Sequence, residues 1–192
     1  MTNDRHGSFL VEAMVAISLV MVGLLGIINL VAQSLRVNTD IVNRFVAANL
    51  AAEGIEVVKD IENAATMANP DGTVSKWSDI WTNVNVIPFG SYEVQYDTAV
   101  SNNLISAPSD VTQARVLCLR NSTTYHNYYL GTGGPAAQNP CDAGDKKTTF
   151  QRIVTVRPGA DADHVYVTAD VHWTAKDNSP SDFIVEDLFT AY

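Results

Sequence analysis

The residue that stands out for chemistry is Glu12, a carboxylate between Val11 and Ala13 at the very start of a long apolar run. An ionised carboxylate on an apolar helix costs several kcal/mol unless it is paired or kept near an interface. Glu12 is therefore either half of an ion pair or a side chain at a headgroup boundary. The other reactive side chains form no catalytic set. His126, His164 and His172 lack metal-ligand spacing, and there is no Gly-rich phosphate loop, nucleophile elbow or paired-cysteine motif. No enzyme activity and no cofactor is expected. Asp161 with Asp163, or Asp142 with Asp145, offer oxygens to a hard cation, but neither pair sits in a calcium-loop pattern, so both read as surface turns. Asn121-Ser122-Thr123 matches a glycosylation sequon, a pattern short enough to arise by chance.

The element that must position Glu12 is the run Ala13 to Ala32, whose 20 residues include only Ser18 and Asn29 as polar interruptions. As a helix it spans ~30 Å, the thickness of a hydrocarbon core. A cleavable secretory signal has a shorter apolar region and a small-x-small site, and Leu30 and Ala32 make a poor one. Helical patterning continues to about Ala68. Ile41, Phe45, Ala48, Ala52 and Ile55 recur at three- and four-residue spacing, with Val46, Leu50, Val57, Ile61 and Ala64 widening the stripe, while Asp40, Asn43, Arg44, Glu53, Glu56, Lys59, Asp60 and Glu62 take the other face. One helix of about 55 residues is expected, half in lipid and half on a globular head. Gly54 interrupts it, either to admit a strand closely or as a plain surface glycine.

Asn69-Pro70-Asp71-Gly72 ends that helix with turn chemistry, and Trp77, Trp81 and Pro88 follow in a loop or short helix. The periodicity then switches to two. Strands are expected around Tyr92 to Tyr96, Arg115 to Arg120, Phe150 to Arg157, Asp163 to Thr174 and from Asp182 onward. In the clearest, Val165, Val167, Ala169, Val171 and Trp173 share one face, and Tyr166, Thr168, Asp170 and His172 the other. Turns at Pro158-Gly159 and Asn178 to Pro180 make the last three a meander that can bury its apolar face on the helix. The fold class is thus α+β, a long N-terminal helix packed on an antiparallel sheet. Length sets one globular body as the expectation.

Charge excludes a further class. The chain carries −9, and from Asn69 onward 14 acidic residues face 8 basic ones, about −6. General nucleic-acid binding needs clustered cations, so none is expected. Lys146, Lys147, Arg152 and Arg157 are the only basic concentration and read as a solvated strand and loop face.

Gly7-Ser8-Phe9-Leu10-Val11-Glu12-Ala13 ahead of the apolar run resembles the N-terminal signature of type IV prepilins and pseudopilins. The resemblance implies a leader, Met1 to Gly7, removed by a prepilin peptidase between Gly7 and Ser8, with N-methylation of Ser8. Glu12 then falls fifth in the mature chain, where the family pairs its glutamate with the N-terminal amine of a neighbouring subunit. The geometry agrees, since residues 8 and 12 lie one turn apart on one helical face, and the pair would neutralise a charge stranded among apolar helices. Two departures stand out: the family's first mature residue is usually Phe, and Asn29 occupies the place of a helix-bending proline. Gly23 and Gly26 remain to supply flexibility or close helix contact. The implied organisation is a leader 1–7, a transmembrane and filament-core half 8–35, an amphipathic half 36–68 and a β-sheet head 69–192. The implied partners are other pilin subunits, the peptidase, an inner-membrane assembly platform and, before assembly, lipid.

In such a family the head lies outside the cytoplasm, where disulfides persist. Cys118 and Cys141 are then either bridged, pinning a loop from Asn121 to Asn139, or two free thiols. Tyr125, His126, Tyr128 and Tyr129 in that loop are either a variable recognition surface or packing aromatics. Three function classes follow: a filament subunit, most simply a minor pilin; a pseudopilin of a type II secretion or DNA-uptake machine; and a binding module held by one membrane helix.

Overall fold

The computed structural model describes residues 5–67, 77–82, 87–94, 104–108, 110–120, 128–130, 141, 144–161, 163–175 and 178–190. Asn69 to Gly72, Tyr96, Tyr125, His126 and Asp142 lie outside them, as does most of the loop from Asn121 to Asn139. The chain divides into two units, Met1–Asn43 and Arg44–Tyr192. One helix, α1 (Arg5–Met67, 63 residues), runs through both, longer than the patterning suggested.

The second unit is the expected α+β body. Among the described residues, α1 is followed by a short helix α2 (Trp77–Thr82) and seven strands: β1 (Gly90–Val94), β2 (Leu104–Ser106), β3 (Val116–Leu119), β4 (Tyr128–Leu130), β5 (Lys146–Pro158), β6 (His164–Thr174) and β7 (Pro180–Thr190). All pairings are antiparallel. β5, β6 and β7 form the meander, with β6 between its two neighbours and β7 paired, among the described strands, to β6 alone. The other edge of β5 is shared by β1, opposite residues 154–156, and β3, opposite residues 146–151. β2 and β4 extend these as outer strands. The turn between β6 and β7 closes through Asn178, whose φ of 62° suits a residue that tolerates the left-handed region.

The core lies between the C-terminal part of α1 and one face of the sheet. Alternation on β6 supplies Val165, Val167, Ala169, Val171 and Trp173, and β5 supplies Phe150, Val154 and Val156. Each fully buried side chain of Val size or larger contributes roughly 1.5–3 kcal/mol. The face that α1 turns to the sheet differs from the expected stripe. Ala47, Leu50, Ala51, Ile55, Val57 and Val58 are buried, whereas Phe45 is 69% exposed and Ala52 and Ala64 are also exposed. Apolar residues occupy nearly every helical phase here, so side-chain size decides the face. Ala47, Ala51 and Gly54 let the backbone of α1 come close to the strands.

Gly54 is the point of closest approach. A Cβ placed there would stand 2.9 Å from Val154 Cγ2 and 3.2 Å from Arg152 Cδ, so the glycine is a packing requirement of the helix–sheet contact and not a surface position.

Arg152 corrects the reading of the basic residues as a solvated face. Lys146, Lys147 and Arg157 are exposed, but Arg152 shares the inner face of β5 with Phe150 and Val154 and is only 1% exposed. Its Nη1 donates to the Leu50 carbonyl at 2.7 Å and its Nη2 to the Val94 carbonyl at 3.0 Å, while Glu53 stands 3.6 Å away. Burial pushes the guanidinium pKa down and Glu53 pulls it back up. The strand phase places this cation inside, and the two carbonyls with one carboxylate compensate it.

Candidate functional site

The first unit consists, over its described residues, of the N-terminal part of α1. Gly7 and Ser8 both have helical backbone, and Glu12 lies one turn after Ser8 with its side chain exposed. The large apolar residues that follow, from Phe9 at 74% through Leu24 at 53% to Leu35 at 63%, are all more than half exposed. Its most apolar 18-residue window has a mean hydropathy of 2.6 and is wholly unburied within the chain. Among the described residues one helix is therefore long and apolar enough to cross a membrane, with a carboxylate at its head.

Two hydroxyls of this helix are closed off by the helix itself. Ser18 Oγ donates to the Met14 carbonyl at 2.8 Å, and Thr39 Oγ1 to the Leu35 carbonyl at 3.0 Å. Such hydroxyls need nothing from an apolar surrounding, unlike the carboxylate of Glu12. A Cβ at Gly23 or Gly26 would meet nothing of this chain within 4 Å.

In the head, Cys118 and Cys141 are joined in a disulfide with Cα atoms 5.6 Å apart. Cys118 sits beside a bulge where Val116 faces Gln151 but Cys118 faces Lys147. Thr148 fills the irregularity, donating through Oγ1 to the Leu117 carbonyl at 2.6 Å and accepting the Phe150 N–H at 3.2 Å. The bridge ties the approach to β5 back onto β3. Tyr128 and Tyr129, read as part of a free loop, have strand backbone and pair with Leu119 and Cys118. Hydrogen bonding to β3 is what converts that stretch from loop to strand.

The remaining singled-out residues do not converge. His164 lies 3.8 Å from Asp161 in the exposed turn between β5 and β6. Asp163 is exposed in that turn. His172 is 6% exposed, with Nδ1 2.5 Å from Asp182 Oδ1. Among the described residues no group of three or more His, Cys, Asp or Glu is placed to hold a metal ion. Two ion pairs, each with one buried and one partly exposed partner, escaped the sequence reading, Arg152 with Glu53 and Arg115 with Glu93, at 3.6 and 2.5 Å. Their partners lie on different elements, so no spacing along the chain signals them.

Comparison with known proteins finds no matching family model, no matching curated protein and no matching solved structure.

Proposed function

We propose that this chain is a structural subunit of a type IV pilus-like filament, most simply a minor pilin, held in a membrane before assembly and packed through the N-terminal part of α1 afterwards. The observation that carries the reading is an apolar helix that its own chain leaves uncovered, with Glu12 at its head and a Gly-x-x-x-x-Glu spacing before the apolar run. Lipid can cover such a surface and so can other copies, and only the second gives Glu12 a cationic partner. In this reading a prepilin peptidase cuts between Gly7 and Ser8, Ser8 is methylated, and its amine meets Glu12 of a neighbouring subunit. The head, with its disulfide, then lies outside the cytoplasm. A pseudopilin of a secretion or DNA-uptake machine would use the same N-terminal chemistry, and the neighbouring genes separate the two. A membrane-anchored binding module would not be cut after Gly7.

The deciding experiment expresses wild type and Glu12→Ala beside the assembly machinery. The mature N-terminus is read by intact mass, and membrane-fraction and sheared-filament levels are compared. A mature chain starting at Ser8, with Glu12→Ala inserted normally but depleted from filaments, is expected. An intact leader, or filament incorporation of Glu12→Ala at wild-type levels, would sink the proposal.

A further inference from the structure

The sheet of the head has one long free edge. β7 runs for 11 residues, and among the described strands it pairs with β6 alone, whereas the outer strands β2 and β4 have 3 residues each. Proteins blunt such edges with short strands, bulges, lysines or a covering segment. β7 uses none of these. It has no lysine or arginine, its register with β6 is unbroken, and its proline stands at the first position, Pro180. Among the described residues no backbone group outside β6 bonds to it.

Which groups face that edge follows from the hairpin. The Ala175 N–H donates to the Ser179 carbonyl at 2.9 Å, so the residues of β7 that bond to β6 are those in step with Ser179: Ser181, Phe183, Val185, Asp187 and Phe189. The alternate residues, Asp182, Ile184, Glu186 and Leu188, turn both N–H and C=O to the open side. Leu188 agrees, because its N–H is taken at 2.9 Å by Oδ1 of Asp187. That bond guards one end and leaves residues 182–186 open. The same alternate residues point their side chains to the outer face of the sheet, since Phe183, Val185 and Phe189 pack on the core. They read acid, apolar, acid, apolar, with Ile184 61% and Leu188 45% exposed.

The acids of β7 have partners within the chain: Asp182 meets His172, Glu186 meets Arg157 and Asp187 meets Lys59. Their side chains still stay 53%, 46% and 42% exposed. An ionised carboxylate accepts up to about four hydrogen bonds, so each can take a second cation. A second copy of the chain is the wrong occupant. Its β7 would bring three more carboxylates and no base to a chain already at −9.

We propose that the open edge of β7 at residues 182–186 is a docking site for an extended, basic segment of another protein, which adds to the sheet as one more antiparallel strand. Antiparallel addition continues the pattern of every pairing in this sheet and is the more stable form per residue. The backbone groups of Asp182, Ile184 and Glu186 supply the pairing. The side chains supply the choice of partner: basic residues opposite Asp182, Glu186 and Asp187, and apolar ones opposite Phe183, Ile184 and Val185. The site belongs to the head and does not depend on what covers the N-terminal part of α1.

The probe is an end-capped synthetic peptide with arginine and valine at those basic and apolar positions, added to the full-length protein in detergent micelles. Amide hydrogen exchange at Ile184 and Glu186 reads the open edge, and the amides of Val185 and Asp187, which face β6, are the reference. Saturating peptide should slow exchange at Ile184 and Glu186 by about tenfold or more and leave the reference unchanged. The same peptide methylated on the backbone nitrogens that face β7, or carrying aspartate in place of arginine, should bind at least about tenfold more weakly. Ile184→Pro removes an edge N–H without taking a bond from the β6 ladder, and it should weaken the unmodified peptide by about tenfold or more. If that variant does not fold, the methylated peptide decides the matter. Exchange at Ile184 and Glu186 that the peptide leaves unchanged, or equal binding of the methylated or the acidic peptide, would overturn the docking site. So would edge amides that are protected without peptide and released on dilution, because a second copy would then occupy the edge.

Discussion

Replacing Gly54 by alanine tests the helix–sheet contact at its tightest point. On an exposed helix the change stabilises by about 1 kcal/mol through helix propensity alone. Here the new Cβ would lie 2.9 Å from Val154 Cγ2 and 3.2 Å from Arg152 Cδ, against an ordinary carbon–carbon separation of roughly 3.5–4.0 Å. Neither neighbour yields easily. Val154 is fully buried and β-branched, with little rotamer freedom, and moving Arg152 stretches its bonds to the Leu50 and Val94 carbonyls. Overpacking of this kind costs about 1–3 kcal/mol, so once the propensity gain is subtracted Gly54→Ala should destabilise the head by up to about 2 kcal/mol net. The assay is denaturant unfolding of the detergent-solubilised protein, followed by fluorescence of Trp81 and Trp173, both 1% exposed in the folded core. The same substitution on a Val154→Ala background, where the clashing methyl groups are gone, should become neutral or stabilising, a coupling of about 1–2 kcal/mol. A stabilising Gly54→Ala in the wild-type background, or additive effects in the double variant, would refute the close approach.

Reduction of the Cys118–Cys141 bridge, or its removal as Cys118→Ser with Cys141→Ser, should cost about 3 kcal/mol in the chain-entropy model for a sequence separation of 23. Comparing unfolding midpoints with and without reductant checks this, and equal midpoints would count against it. Arg152→Met should cost about 1–3 kcal/mol, because the Val94 carbonyl loses its buried donor. Glu53→Gln should cost less, since Glu53 is one-third exposed and the two carbonyls still hold the guanidinium. Urea midpoints of the two single variants and the double variant give the order, and a larger loss from Glu53→Gln would make the ion pair, not the carbonyls, the main anchor.

Much of the architecture is written in local pattern. Twenty nearly uninterrupted apolar residues can form only a membrane-length helix, and the strict alternation from Val165 to Trp173 leaves a half-buried strand as the reading. The turns at Pro158-Gly159 and Asn178 to Pro180 connect three such strands, and β5, β6 and β7 pair in that order. Glu12 is conspicuous for a local reason too, being a charge where its neighbours exclude one.

Tertiary structure alone decided which face of α1 is inside, since Ala, Val and Ile occur at almost every phase between Ile41 and Ala65 and hydrophobicity cannot choose among them. Fit chose instead, through Ala47, Ala51 and Gly54. The same holds for Arg152, whose type suggests solvent but whose place on β5 puts it against Leu50 and Val94, more than fifty residues away in the chain. Two cysteines leave bridged and free forms open until β3 and the approach to β5 set their Cα atoms 5.6 Å apart. The carboxylate that meets His172 left no trace in the sequence, because the register of two hairpin strands is what sets Asp182 opposite the ring. Periodicity records how each segment divides its faces between apolar and polar surroundings. Which segments then meet depends on shape and register over distances the local pattern does not contain.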